Sequence, residues 1–385
     1  MRTVFNYLQF IIVFFLLYSC ENKNQTIAVD VNLDLDIVKE GKFSDIFDSI
    51  QYVLLNDTES QPLVQPYKIK FLDSLIFVED QELDNLFIFN EHGNLKNVIF
   101  SKGVGPEEFY QLQDFQLSNG IITIMDIVSG KLINFNYNGN FISERRLLKT
   151  SSNFVQDSTF DLFFFNNRPP DSSYNFLYSD GSVNRYNMPI NSNYDGISLT
   201  HLNGFMYESR NNDYYIDIPF SYQVAKFSGI GNLVKVIEFN FGKYSITDDE
   251  RLEMIINRNL YNLPSNKIGM LDSFYPIGSI FSVCFSNSND SFIYLLDDKL
   301  NKLYSGKNLE NDIDGLNIFK MLPWTYYSDG IVFKFPAYVI LNLISKNSFK
   351  NSDKSNLESF YEENKEALQE DLSVLVKIKL KNKFL

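Results

Sequence analysis

Short apolar runs alternate with turns along this chain, and the alternation recurs. Residues 86–109, LFIFNEHGNLKNVIFSKGVGPEEF, set the unit: an apolar run at 86–89, a turn at 90–93, and a second strand-like run at 94–100. The loop after it holds two glycines and a proline and occurs once. The hairpin half returns, its turn glycines falling at Gly93, Gly139, Gly181 and Gly231, at intervals of 42 to 50 residues. Asn, Asp and Gly tolerate positive φ, so these turns read as tight links between strands. Each glycine follows a run that is preceded by another: 74–78 then 86–89, 121–125 then 132–135, 161–165 then 175–178, 204–208 then 222–227. With the flanking runs this makes about four short strands per period, which is one propeller blade.

The fifth unit, 280–285 and 291–296, comes late because of an insertion. Within it the pattern predicts a helix over 247–262: Thr247 and Glu250 make a capping box, and Leu252, Ile255, Ile256 and Leu260 share one face. Pro264 stops it. The sixth unit shows strand-like runs at 324–327 and 330–344, then a second helix at 355–369, then the alternating run 372–380. That last run has no partner nearby in sequence, and the early run 50–55 has none either. Pairing the two closes the ring and removes two exposed sheet edges. The predicted architecture is all-β: a six-bladed β-propeller over 40–385, with an inserted helix, a C-terminal helix, and a ring closed by N- and C-terminal strands.

Composition supports the β reading. The chain holds 36 Phe and 23 Tyr against one Trp, and aromatic side chains favour half-buried pleated surfaces. A net charge of −14 repels phosphate backbones, which argues against nucleic acid as a partner. Residues 1–19 read as a signal segment, with Arg2 ahead of a short apolar stretch at 8–17 and Ser19 just before Cys20. That arrangement resembles a bacterial lipoprotein signal, in which Cys20 is the lipidated first residue of the mature chain. Residues 20–39 then read as a flexible tether. Cys284 lies in the apolar run 280–285 and is expected to be a buried thiol.

The stretch Phe43-Ser44-Asp45-Ile46-Phe47-Asp48-Ser49-Ile50-Gln51-Tyr52-Val53-Leu54-Leu55, the hairpin at 86–93, the loop Lys102-Gly103-Val104-Gly105-Pro106-Glu107-Glu108-Phe109, the word Asn311-Asp312-Ile313-Asp314-Gly315 and the closing run 372–381 occur in that order. Together they resemble the six-bladed β-propeller lipoproteins of the Bacteroidetes. The family usually carries Asn-Pro before the last strand, where this chain has Leu372-Ser373. The resemblance implies a fold and a cell-envelope address, and no activity.

Candidate chemistry is sparse. In the loop holding Gly103, Gly105, Pro106, Glu107 and Glu108, the glycines could admit a ligand, yet no Lys-Ser/Thr follows and the two glutamates repel phosphate. A rigid inter-blade connection is the simpler expectation. Asp80, Asp126, Asp312 and Asp314 lie near strand ends, where a hard cation such as calcium could be held, as six-bladed lactonases hold one in the tunnel. Acids also simply make turns there. His92 and His201 are the two histidines, neither at metal-ligand spacing from a Cys or His, and there is no Gly-x-Ser-x-Gly word for a hydrolytic triad. The aromatic words 163–165 and 214–215 suit packing between blades, or stacking on sugars if exposed.

The sequence therefore supports an outer-membrane lipoprotein, on the cell surface or facing the periplasm, held in the bilayer through acylated Cys20. The expected role is a non-catalytic binding or scaffolding module for a peptide, glycan or protein, with no cofactor. The alternative is a calcium-type hydrolase or lyase with its site in the tunnel.

Overall fold

The computed structural model describes residues 27–385 apart from 59, 101, 169, 171, 191–192, 194–202, 258–262, 320–321 and 347–351. The expected signal segment, Cys20 and His201 lie outside the described residues. Six sheets form the ring, and in blades 1 to 5 four consecutive strands pair antiparallel from the channel outward. Their inner strands are Pro66–Leu72, Asp114–Ser118, Asn153–Gln156, Met206–Glu208 and Ser273–Ile277. Blade 6 draws Thr325–Tyr327, Gly330–Pro336 and Ser373–Leu380 from the end of the chain and Phe47–Leu55 from its beginning. The core is divided into wedges between blades. One apolar cluster joins blades 1 and 2 through Phe77, Ile88, Phe109, Phe115 and Ile124, and another joins blades 3 and 4 through Phe164, Phe176, Ile216 and Phe227. The aromatic surplus fills these wedges, where wide rings bridge sheets that splay apart.

The expected ring closure is present, and longer than the pattern indicated. Ser373 pairs with Leu55 and Leu380 with Phe47, with one register shift near the Leu380 end. Tyr52, Val53, Leu54 and Leu55 on one strand and Val374, Leu375, Val376, Ile378 and Leu380 on the other are among its almost wholly buried residues.

Three elements differ from expectation. The run 330–344 is strand only to Pro336, and Ala337–Lys346 is a helix. Proline cannot donate to the ladder, so the sheet ends there. Ala337, Ile340 and Ile344, spaced as one helical face, are buried instead. The branched residues of AYVILNLI mimic a strand by propensity alone. In blade 4 the run 204–208 proves to be the inner strand, and the second strand is Asp213–Asp217, whose acidic ends hid it. The segment read as a tether is ordered from residue 27. Ile27–Asn32 adds in parallel to the outer strand Leu233–Asn240 of blade 4, and Glu40–Lys42 adds to Lys302–Glu310 of blade 5. Leu33, Leu35 and Val38 are buried between them, so apolar residues spaced among acids were anchoring points in a segment that looked polar. The early chain thus runs along the rim of blades 4, 5 and 6 in turn and covers edges that would otherwise be open.

Both expected helices are present among the described residues. Asp248–Asn257 carries the capping box, with Thr247 N–H donating to Glu250 (2.7 Å) and Glu250 N–H to the Thr247 hydroxyl (3.2 Å). Leu357–Asn364 is followed by a 3-10 turn at Ala367–Gln369.

Three of the four repeated turn glycines turn out to be contact points between blades. Gly93 adopts φ +82°, and a Cβ there would collide with the Leu54 carbonyl of blade 6. Gly139 lies likewise against Asn97 of blade 1, and Gly231 against Phe160 and Tyr178 of blade 3. Gly181 has the same φ, +83°, with open space around it. Gly181→Ala should therefore cost only the left-handed backbone term, about 1–2 kcal/mol, whereas Gly93→Ala should cost several-fold more in chemical denaturation. Equal losses would remove the inter-blade role. Deleting residues 371–385 should lower the unfolding temperature sharply, and an unchanged melt would contradict closure by these strands.

Candidate functional site

The Gly103–Glu108 loop joins blade 1 to blade 2 and is held from within. Gly105 N–H donates to the Glu108 carboxylate (3.2 Å), and a Cβ on Gly103 or Gly105 would lie 2.9 or 2.8 Å from that same carboxylate oxygen. The cradle opened by the glycines is thus occupied by the chain's own acid. Lys131 of blade 2 donates to the carbonyls of Gly105 (2.5 Å) and Glu108 (3.0 Å) and pairs with Glu144, while Glu107 sits at φ +62° with its N–H on Glu144. Phe109, fully buried, anchors the exit. The loop is braced by these hydrogen bonds, and its tip, Val104, stays exposed.

The four candidate aspartates are distributed, each held by a local network. Asp80 accepts the N–H groups of Val64 (2.6 Å) and Gln65 (3.3 Å) from the incoming loop and of Glu82 and Leu83 (3.0 Å each) from the turn after its own strand. Asp126 repeats this in blade 2, accepting from Tyr110 (2.7 Å), Val128 (2.9 Å) and Ser129 (3.1 Å), and from the Ser129 hydroxyl. Asp312 accepts both the N–H and the hydroxyl of Ser44 (2.9 and 2.5 Å). Burial resists its charge, but those bonds hold its carboxyl below the ordinary range. Asp314 accepts from Asn311 (2.6 Å), Leu316 (3.1 Å), Tyr52 (3.1 Å) and Ser355 (2.6 Å). It therefore ties the connection from blade 5 to the closing strand and to the C-terminal helical insert. Burial and the neighbouring carboxylate push the Tyr52 hydroxyl well up, which keeps it a donor. Among the described residues, no three of His, Cys, Asp and Glu gather as a metal-holding group.

One buried charge cluster escaped the sequence reading. In the wall of the central channel, Lys68 of blade 1 and Asp114 of blade 2 form an ion pair at 2.6 Å, both almost wholly buried. Burial works against both charges, yet the pairing prevails: Lys68 is held above its ordinary range and Asp114 below. Asp114 also accepts from Phe115 N–H (2.9 Å), and from Asn153 (3.3 Å) and Phe154 N–H (3.2 Å) of blade 3. A single carboxylate thereby links three blades. Beside it, burial pushes Glu79 up to about 7, and its Oε2 has no hydrogen-bond partner among the described residues. Burial also brings Lys70 down to about 8; its ammonium donates to the Phe115 carbonyl (2.5 Å). The available signal was Tyr67-Lys68-Ile69-Lys70, lysines alternating with apolar residues in a run too apolar to be a loop.

Elsewhere around the channel, side chains reach the open backbone edges of neighbouring inner strands. Trp324 donates to the Tyr67 carbonyl (2.6 Å), Thr325 to that of Ile69 (3.1 Å), and Gln156 N–H to the Gln116 side chain (2.7 Å). Tyr275 donates to the Pro323 carbonyl (3.3 Å) and stacks on Tyr326 with ring centres 5.1 Å apart. Each bond crosses from one blade to the next and satisfies a group that closure leaves facing the axis.

The remaining candidates are structural or outside the site. His92 is exposed in its turn, 3.8 Å from Glu91. Cys284 is buried, and burial pushes its thiol up to about 12. Phe163, Phe164 and Phe165 are buried, and Tyr215 packs between blades 4 and 5 on Phe274 and Phe281 (5.6 and 5.2 Å).

Similar structures include a candidate exported protein from Bacteroides fragilis NCTC 9343, with TM-score 0.68 and 19% identity over 92% of this chain and 100% of that one. A member of the duf4221 family from Bacteroides vulgatus follows, with TM-score 0.52 and 10% identity over 87% of this chain and 98% of that one. At these identities the likeness is one of fold. A search of curated proteins gives no match. Residues 19–334 match the family described as DUF5128, 6-bladed beta-propeller, and the chain belongs to that family.

Proposed function

We propose that this protein is a lipid-anchored propeller of the cell envelope that works as a non-catalytic binding or scaffolding module. The observation that carries this reading is the Lys68–Asp114 pair. The Asp114 carboxylate in the channel wall is already neutralised by a built-in ammonium at 2.6 Å. The four turn aspartates are likewise engaged by backbone N–H groups and hydroxyls. The exported description of the B. fragilis protein supports an envelope location, and the Leu17-Tyr18-Ser19-Cys20 word supports anchoring by acylation.

Cys20→Ala should move the protein from the membrane fraction to the soluble fraction, and retention in membranes would count against the anchor. Lys68→Ala leaves Asp114 buried and unpaired, and should cost about 3–5 kcal/mol in chemical denaturation. Calcium should not restore that loss; restoration would favour the alternative of a cation-assisted hydrolase in the channel.

A further inference from the structure

The two aspartates that hold turns in blades 1 and 2 share a second property. Each presents exposed apolar side chains on one face of the ring. Asp80 fixes the backbone of Val64, 53% exposed, and of Leu83, 38% exposed. Asp126 fixes Tyr110, 57% exposed, and Val128, 54% exposed. The incoming residue lies 16 positions before its aspartate in both blades. The two sets are joined, because Leu112 N–H donates to Asp84 (3.2 Å), linking the loop of blade 2 to the turn of blade 1. Val104, 62% exposed, sits on the hydrogen-bonded loop that leads from blade 1 to blade 2.

Architecture alone does not require apolar residues at these positions. In blade 5 the corresponding turn is held by Asn287, and the residues it fixes are Asn289 and Asp290, both polar. Isolated exposed aliphatics are ordinary on any surface. Five on one face, four of them with their backbones pinned by buried carboxylates, are a preorganised contact surface.

The charges around it indicate what it meets. Glu82 and Glu107 are exposed at its margin and Asp84 is half-buried, against one exposed lysine in the same loops, Lys102. The whole chain carries −14. An anionic bilayer or a second copy would be repelled. We propose that the face formed by Val64, Leu83, Val104, Tyr110 and Val128 docks a protein segment that combines apolar side chains with lysine or arginine. This deepens the binding-module reading and rests on it.

The test uses full-length anchored protein in nanodiscs of zwitterionic lipid, with empty nanodiscs as baseline. Fluorescence anisotropy follows a labelled peptide of alternating leucine and lysine, and its leucine and glutamate counterpart. The lysine peptide should bind saturably and weaken with salt. Leu83→Ser with Tyr110→Ser should weaken it at least tenfold, while Val183→Ser with Ile230→Ser, in turns on the opposite face, should leave it unchanged. Melting curves of both double variants should match the parent, since all four side chains are exposed. Equal binding of both peptides, equal loss in both variants, or no binding above empty nanodiscs would overturn the proposal. So would pairing of particles in sedimentation that only the Leu83/Tyr110 variant abolishes, which would give the face to a second copy. The anchor is read separately, by fractionation of Cys20→Ala, so failure of the surface and failure of the anchored reading are distinguishable.

Discussion

Everything in this molecule depends on two strands that lie more than three hundred residues apart in sequence. Phe47–Leu55 and Ser373–Leu380 pair inside blade 6, and without that pairing the ring is an open row of sheets with an exposed edge at each end. The chain must therefore carry both halves of one blade at its two extremes. It does so with strongly apolar, β-branched runs whose burial matches that of the other blade cores. Asp314 reinforces the joint, since it touches the closing strand through Tyr52 and the C-terminal insert through Ser355. A closed ring of antiparallel sheets also creates a problem at its axis, where inner edges face a narrow channel. Polar side chains from neighbouring blades answer it, and the Lys68–Asp114 pair belongs to the same solution. The buried charges are best understood as parts of closure.

Much of the architecture was legible because its signals are local and repeated. The turn glycines mark the third hairpin of blades 1 to 4, and the capping box at Thr247 and Glu250 marks a helix start in the same direct way. What was not legible depends on partners remote in sequence. Ala337–Lys346 reads as a strand by composition, and only Pro336 at the end of the ladder and three buried residues at helical spacing reveal a helix. Ile27–Asn32 reads as a tether because its partner, Leu233–Asn240, lies two hundred residues onward.

The site followed the same division. That the glycine loop links two blades was a local inference, whereas the Glu108 carboxylate filling the space above Gly103 and Gly105 is a matter of three-dimensional fit. Asp80 and Asp126 stood out as strand-terminating acids, and the structure gives them that role with a purpose added: they hold the loops that enter their blades. Lys68 and Asp114 were invisible as a pair, because each is an unremarkable residue in its own strand and only adjacency of blades brings them together.

Native-state hydrogen exchange measures closure directly. If the ring is one cooperative unit locked by blade 6, amides of Phe47–Leu55 and Ser373–Leu380 should exchange only through global unfolding, with the same opening free energy as the central strands of blade 2. Exchange of the blade 6 amides through a distinctly lower-energy opening, with blades 1 to 5 still protected, would contradict the account.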